Sequence, residues 1–114
     1  MGFAEFSFPS ATHSRYSHSL GAMHTATLLF DSIFKNSREL SELKKEDKER
    51  LRQMLRLGSM LHDIGHGPLS HTTEIAMPPL QTLQLPFFEK TERQATHEDY
   101  TLKIITNSEL TPKV

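Results

Sequence analysis

The sequence predicts an all-α protein, and three observations support this class. Two long segments carry apolar residues at steps of three and four, which is the period of an amphipathic helix. A third segment begins with residues at the spacing of an N-terminal capping box. No segment competes strongly as a strand, which would show alternating apolar and polar residues. With 114 residues the chain is long enough for one compact domain.

The first half of the chain predicts one long helix between two irregular segments. Residues 1–15 are expected to be irregular because Pro9 and Ser10 interrupt them. Residues 16–35 are expected to form an amphipathic helix, and residues 36–47 a charged, solvated linker. The apolar positions of the helix are Leu20, Met23, Ala26, Phe30, Ile33 and Phe34.

Residues 47–64 give the strongest helix prediction in the chain. Asp47 can cap the N-terminus, and the helix is expected to stop near the sequence GHGP, where Gly65 and Gly67 permit a turn and Pro68 disfavours helical geometry. We expect the apolar residues of the two long helices to be core positions, namely Leu20, Met23, Leu51, Met54, Leu55 and Leu61.

The remaining residues predict shorter elements. The sequence LSHTTEIA is expected to form one or two helical turns, and MPPLQTLQLPFF a loop, because it holds three prolines. The sequence THEDYTLKII predicts a final helix, in which Thr96 and Asp99 have capping-box spacing with Asp in place of the usual Glu.

Composition excludes several classes of function. A net charge of −1 gives little support for a nucleic-acid-binding or membrane-binding surface, and the absence of cysteine excludes disulfides and thiolate metal sites. No apolar run approaches the roughly 18 residues that span a bilayer. The N-terminal sequence MGFAEFSFPSATHSR lacks the regions of a signal peptide. We therefore expect a cytoplasmic protein with no membrane partner.

The stretch HDIGHGPLSH concentrates imidazole and carboxylate groups at the end of the second long helix. Six of the seven histidines of the chain fall in two short stretches, and this one holds three of them beside Asp63. A histidine at a helix end is usually structural, since it interacts favourably with the helix dipole. That interpretation explains His62, but it leaves His66 and His71 unexplained.

Histidine nitrogen and aspartate oxygen together suit a transition metal ion better than calcium. Manganese, iron, nickel or zinc fit this donor mixture, with magnesium as a further candidate. Such an ion lowers the pKa of bound water and polarises a phosphoryl oxygen. Arg15 and His18, at the start of the first long helix, add a fixed positive charge and another imidazole. These groups are what hydrolysis of a phosphate ester requires.

Three segments in order carry a resemblance to a known family. ATHSRYSHSLG, HDIGHGPLSH and THED resemble the HD-domain metal-dependent phosphohydrolases, in the deoxynucleoside triphosphate triphosphohydrolase-like (dGTPase-like) branch. The resemblance covers most of residues 9–105. It implies an HD-domain helical bundle, a deoxynucleoside triphosphate substrate, hydrolysis to deoxynucleoside and triphosphate, and a homo-oligomer. Nucleic-acid binding is known in this family, but the local charge supports it weakly.

The resemblance assigns roles to residues by position. His18, His62 and Asp63 match metal ligands of the family, and Arg15 matches a residue that contacts the triphosphate. The remaining matched residues lie near the phosphates: His66 and His71 line the phosphate site, with His71 the better candidate for the general acid, and His97 and Glu98 assist near the scissile phosphate.

One family ligand has no match here. The family has a fourth metal ligand, an aspartate on a later helix, and none of the aspartates of this chain matches it; they are Asp31, Asp47, Asp63 and Asp99. We therefore expect residues 1–114 to form a single partial HD domain, incomplete at both ends and lacking the C-terminal part with that aspartate. We also expect these residues alone to show little or no triphosphohydrolase activity.

Two other functions remain open from the sequence. A non-catalytic regulatory HD module would bind nucleotide without turnover. An HD phosphodiesterase would act on another phosphoester. Retained nucleotide affinity without hydrolysis would favour the first, and a substrate panel would reveal the second.

Overall fold

The all-α prediction is confirmed by the computed structural model, which describes residues 4–37, 42–86 and 92–113. The α-helices in these ranges are α1 (Ala4–Ser7), α2 (Arg15–Asn36), α3 (Lys45–Leu61) and α4 (His97–Thr106). Short 3₁₀ helices cover Ser70–Ala76, Leu80–Leu83 and Thr111–Lys113. Extended pairing in the described ranges is an isolated antiparallel bridge between Pro79 and Gln94. None of the helices described has both the length and the apolar character needed to cross a membrane.

The chain divides into two compact units. The first unit comprises Met1–Arg15 and His62–Val114, and the second comprises Tyr16–Leu61. Helices α2 and α3 confirm the two long helices that periodicity predicts. Helix α1 lies inside the segment that we expected to be irregular. Part of the predicted linker, residues 38–41, lies outside the described residues.

In the second unit, polar contacts join α2 and α3. Arg52 donates from Nε and Nη2 to the two carboxylate oxygens of Asp31, at 2.9 and 3.1 Å. Arg56 donates to the hydroxyl of Thr27, which itself donates to a carbonyl one turn earlier in α2. Arg52 and Arg56 lie one turn apart on α3, so both contacts come from one face of that helix.

The predicted core of the second unit is partly wrong. Leu51, Met54 and Leu55 are exposed, and Met54 retains 59% of its surface. Helical periodicity shows that a helix has an apolar face, but it does not show that another element covers that face. The buried apolar residues here are Phe30 and Phe34 of α2, whose rings stack with centroids 4.1 Å apart.

In the first unit, the core forms where we predicted a loop. Leu80, Leu83, Leu85 and Ala95 are buried together, and Met77 and Tyr100 pack against them. The loop prediction for residues 77–88 is therefore wrong over the 3₁₀ helix Leu80–Leu83, and residues 87 and 88 lie outside the described residues. The prolines lie on either side of the helical turn rather than within it, so they permit the turn.

The bridge between Pro79 and Gln94 connects this core to the start of α4. Leu80 donates its backbone N–H to the carbonyl of Arg93, and Ala95 donates to the carbonyl of Pro78, both at 3.0 Å. Two residues later α4 begins with His97, and the predicted capping box is confirmed: Thr96 and Asp99 bond reciprocally at the helix N-terminus. The core thus places His97 through a short connection.

Candidate active site

The HD pair lies in a turn that follows α3. Helix α3 ends at Leu61, three residues earlier than predicted, and residues 62–65 form the turn. The Thr101 hydroxyl holds this turn against α4, because it donates to the carbonyl of His62 at 2.9 Å and accepts the backbone N–H of Gly65 at 3.0 Å. A Cβ at Gly65 would lie 2.2 Å from the carbonyl oxygen of His97, so only glycine fits this approach.

The carboxylate of Asp63 is largely buried beside a cation and an imidazole. Arg15 Nη1 donates to Oδ2 at 3.2 Å, and His62 Nε2 lies 3.1 Å from Oδ1. His66 Nε2 is farther from Oδ1, at 3.7 Å. The structure therefore brings Arg15 of the first motif to the aspartate of the second, as expected if both face one phosphate and metal site.

Arg15 has a second anchor at a residue with unusual backbone geometry. Its Nη2 donates to the hydroxyl of Ser70 at 2.9 Å. Ser70 has φ of 58°, in the left-handed region that L residues rarely adopt, and its carbonyl accepts the Thr73 hydroxyl at 2.9 Å. The strained residue thus presents its hydroxyl to the guanidinium, and the two anchors fix the direction in which Arg15 points.

Three of the predicted histidines form a compact cluster. The rings of His66 and His97 stack with centroids 3.7 Å apart and planes 8° apart. The ring of His71 meets both edge-on, at 4.6 Å from His66 and 5.0 Å from His97. The motifs HDIGHGPLSH and THED therefore converge, as the resemblance implies.

His66 is the buried member of this cluster. Its side chain is 3% exposed, and burial is the largest cause lowering its pKa, with the positive charge of Arg15 adding to it. Its Nδ1 is buried and has no hydrogen-bond partner among the described residues. A neutral ring is what close stacking on His97 requires, because two imidazolium rings would repel each other.

Glu74 is a site residue that sequence reasoning missed. Its Oε1 accepts Nδ1 of His71 at 2.9 Å and also Nδ1 of His97 in a very short contact. The hydrogen bond from His97, and then that from His71, lower the pKa of Glu74, so the carboxylate is ionised and the imidazoles donate. The available signal was its position, three residues after His71 in a segment that we expected to be helical.

Glu98 and His18 are the two remaining predicted site residues. Glu98 is exposed, accepts the Thr96 hydroxyl at 2.6 Å, and has Oε1 3.7 Å from Nε2 of His97. His18 lies in the first turn of α2 and belongs to the second unit, whereas His62 and Asp63 belong to the first. His18 is half-buried.

The donors of the first unit fit a divalent metal ion. Asp63 offers charged oxygen with little exposure, and His62 offers imidazole nitrogen beside it. Arg15 contacts Oδ2 of this carboxylate, whereas His62 lies beside the other oxygen, Oδ1. Mixed nitrogen and oxygen donors are the set that Mn, Fe, Ni and Zn ions prefer.

Comparison with known proteins identifies the family. The model of the HD domain family matches residues 15–114, which includes all the site residues described above. This chain belongs to the HD domain family. The match begins at Arg15, so the HD domain contains the arginine, the HD turn and the histidine cluster. No solved structure matches the chain.

Relatives with informative names share this HD domain. The chain is 33% identical over 105 residues to a protein of Dictyostelium discoideum named deoxynucleoside triphosphate triphosphohydrolase SAMHD1 homolog, covering 92% of this chain and 18% of that protein. It is 37% identical over 82 residues to the SAMHD1 triphosphohydrolase of Bos taurus, covering 70% and 13%. It is 36% identical over 74 residues to the uncharacterized Bacillus subtilis protein YwfO, covering 65% and 16%. The chain thus spans less than a fifth of the length of these relatives.

Proposed function

We propose that this chain carries the catalytic centre of a metal-dependent phosphohydrolase that converts deoxynucleoside triphosphates to deoxynucleoside and triphosphate. The observation that supports it most is the convergence in one unit of Arg15, Asp63 and a cluster of three imidazoles oriented by a carboxylate. The names of the Dictyostelium and Bos taurus relatives support the substrate class. The requirement for a further aspartate ligand, from a C-terminal part of an HD domain, stays a prediction.

The metal site in this proposal consists of His18, His62 and Asp63, with His18 assigned by family resemblance. A divalent ion bound by these groups supplies positive charge that polarises the phosphoryl group under attack. Asp63 lies in the turn of residues 62–65, and the Thr101 hydroxyl fixes this turn on α4, which positions the carboxylate. The deep placement of its carboxylate keeps competing water away from the charged oxygen.

Arg15 is the phosphate-binding residue of the proposed site. Its guanidinium already bonds two partners in the first unit, Asp63 and Ser70, so its rotamer is fixed before substrate arrives. A planar guanidinium matches two phosphate oxygens at once. Because Arg15 lies beside the proposed metal-binding carboxylate, one triphosphate could contact both the guanidinium and an ion held by Asp63.

His71 is the proposed general acid for the leaving 5′-oxygen. Glu74 accepts from Nδ1, so Nε2 is the nitrogen that faces away from the carboxylate and transfers the proton. A general acid must carry its proton before transfer, and the Glu74 carboxylate beside Nδ1 keeps the His71 ring oriented for that role. His71 is the exposed member of the cluster, which suits contact with a substrate entering from solvent.

His66, His97 and Glu98 complete the proposed phosphate site. The buried His66 forms the floor of the cluster, and His97 shares Glu74 with the general acid. Glu98 stands at the exposed edge, where it can orient water or a protonated group near the scissile phosphate. These roles follow the family resemblance, and the convergence of the rings supports them.

The test is hydrolysis by the longest natural form of the protein. Triphosphate release from each deoxynucleoside triphosphate is measured for the wild type, for Asp63→Asn, and for Asp31→Asn as a matched control. Asp31 also pairs with an arginine, but it lies on α2 in the second unit and outside the site. We expect release that Asp63→Asn abolishes and Asp31→Asn retains.

Two results would contradict the proposal. Nucleotide binding without release from any triphosphate would indicate a regulatory module. Hydrolysis of a cyclic dinucleotide or another phosphodiester, without triphosphate release, would indicate a phosphodiesterase.

A further inference from the structure

We propose that His66, His71, His97 and Glu74 bind a divalent transition metal ion, with Zn²⁺ as the representative ion, at a site separate from the metal ligands that family resemblance assigns. The two sets of residues have no member in common. The proposal rests on the geometry of the cluster. An ion bound here would occupy His71 and Glu74, the groups assigned to proton transfer, and would therefore inhibit the proposed hydrolysis.

The four side chains together form a donor set of the right kind and size. Each offers one ligand atom, and these atoms all lie within 4.8 Å of one another. Three imidazole nitrogens and one carboxylate oxygen are a favourable set for zinc, cobalt or nickel. In a tetrahedral zinc site the ligand atoms are roughly 3.3 Å apart, given zinc–nitrogen bonds of about 2.0 Å. Side-chain rotations that bring these atoms closer together would therefore close the cluster around an ion.

An independent observation supports a ligand at this cluster. The side chain of His66 is only 3% exposed, and its Nδ1 has no hydrogen-bond partner among the described residues. A buried nitrogen without a partner is costly and requires an explanation. Coordination of a metal ion by this nitrogen would supply one.

Glu74 adds the negative charge that an ion needs in a low-dielectric site. Its Oε1 already lies against Nδ1 of His71 and Nδ1 of His97, where protons now bridge the pairs. When an ion replaces those two bridging protons, each ring carries its proton on Nε2 instead. A ring that is neutral before the ion binds stays neutral, whereas an imidazolium ring must release one proton to solvent to become a ligand.

The stacked arrangement of His66 and His97 must open when the ion binds. A metal ion lies in the plane of each imidazole that binds it, and these two planes are only 8° apart at a centroid distance of 3.7 Å. At least one ring therefore rotates. His71, at 70% exposure, can turn freely and complete the site from the solvent side.

The test is titration with Zn²⁺ alone in the Asp63→Asn background, which weakens the site assigned by family resemblance. Calorimetry gives the number of ions bound per chain, and Co²⁺ substitution gives a visible spectrum that reports nitrogen and oxygen ligands. We expect one ion per chain, and an affinity at least ten-fold lower after Glu74→Gln or His71→Gln. The matched control is His24→Gln, which removes an exposed histidine of α2 and should leave the affinity unchanged.

The outcomes separate this proposal from the proposed function. Zinc bound by the wild type but not by Asp63→Asn overturns this site and leaves the hydrolase proposal intact. Zinc affinity that falls equally with His24→Gln and His71→Gln also overturns it, since surface histidines then bind the ion. Zinc bound by Asp63→Asn and lost with Glu74→Gln supports the site, even if no form hydrolyses a nucleotide. Because the His71 side chain is 70% exposed, His71→Gln should keep the fold, and it tests the site independently of how Glu74→Gln affects folding.

Discussion

Arg93 and Asp99 form a two-pronged ion pair, with Nη1 2.6 Å from Oδ2 and Nη2 2.7 Å from Oδ1. Asp99 is 3% exposed, and its Oδ2 also accepts the backbone N–H of Thr96 at 2.8 Å. One carboxylate therefore caps α4 and anchors the segment that precedes it. Since α4 begins with His97, this pair determines where an imidazole of the cluster lies.

Replacement of Asp99 by Asn should destabilise the protein. The amide cannot accept from both guanidinium nitrogens, and a hydrogen bond to a charged group contributes about 1.5–3 kcal/mol. Urea unfolding of wild type and variant measures the change. Asp31→Asn is the matched control, because Asp31 also pairs with an arginine through both oxygens but is 48% exposed. An equal loss in the control would show that burial of Asp99 contributes nothing.

The Asp99 carboxylate should make the free energy of unfolding depend on pH. The Arg93 guanidinium holds the pKa of Asp99 below its ordinary value of 3.8, and an unfolded chain lacks this pairing. The stabilisation is therefore complete at pH values above 3.8 and is lost as the pH falls through the lower pKa of the folded state. Melting temperatures between about pH 6 and pH 2 test this. The decline in acid should be shallower for Asp99→Asn than for the wild type, and parallel curves would refute it.

Substitution of Gly65 by alanine should be strongly destabilising. The added Cβ would lie 2.2 Å from the His97 carbonyl oxygen and 2.3 Å from the Thr101 nitrogen, both backbone atoms that cannot move alone. Gly58 is the matched control, because a Cβ there meets nothing within 4 Å. Gly58 lies within α3, so alanine should stabilise by about 0.5–1 kcal/mol. Thermal unfolding should move in opposite directions for the two variants.

Loss of the Glu74 charge should slow catalysis if the proposed reaction is correct. Glu74→Gln keeps the shape but removes the charge that accepts from both His71 and His97. We expect kcat to fall by roughly 10-fold or more with little change in KM, because the general acid loses its orientation while phosphate contacts remain. Glu49→Gln, on α3 beside Gln53, is the control. A change confined to KM would argue against the role.

The sequence predicts which side chains lie together at the candidate site better than it predicts which residues form the core. The histidines and Arg15 can be recognised as candidate site residues from the sequence alone, because closely spaced imidazole and guanidinium groups in ordered motifs are rare by chance. Glu74 carries only a weak signal, its position three residues after His71, because a glutamate in a polar segment is ordinary until the fold places it against two rings.

Burial is harder to predict because it depends on neighbours. Met54 and Leu80 are both apolar residues in helical segments, yet one is exposed and the other is 2% exposed. Leu80 is covered because the bridge of Pro79 with Gln94 brings a distant segment across it. Local periodicity contains no information about that pairing.

The hydroxyl of Thr101 joins the carbonyl of His62 to the N–H of Gly65 from a position 39 and 36 residues farther along the chain. During synthesis, the HD turn therefore emerges well before the group that shapes it. Until α4 has formed and docked, His62 and Asp63 lack the contacts that hold their turn, so the metal binding that we propose for this turn would be a late event in folding. A chain released from the ribosome before residue 101 would contain His62 and Asp63 but would lack the hydrogen bonds that position them. We expect such a chain to bind metal ions weakly.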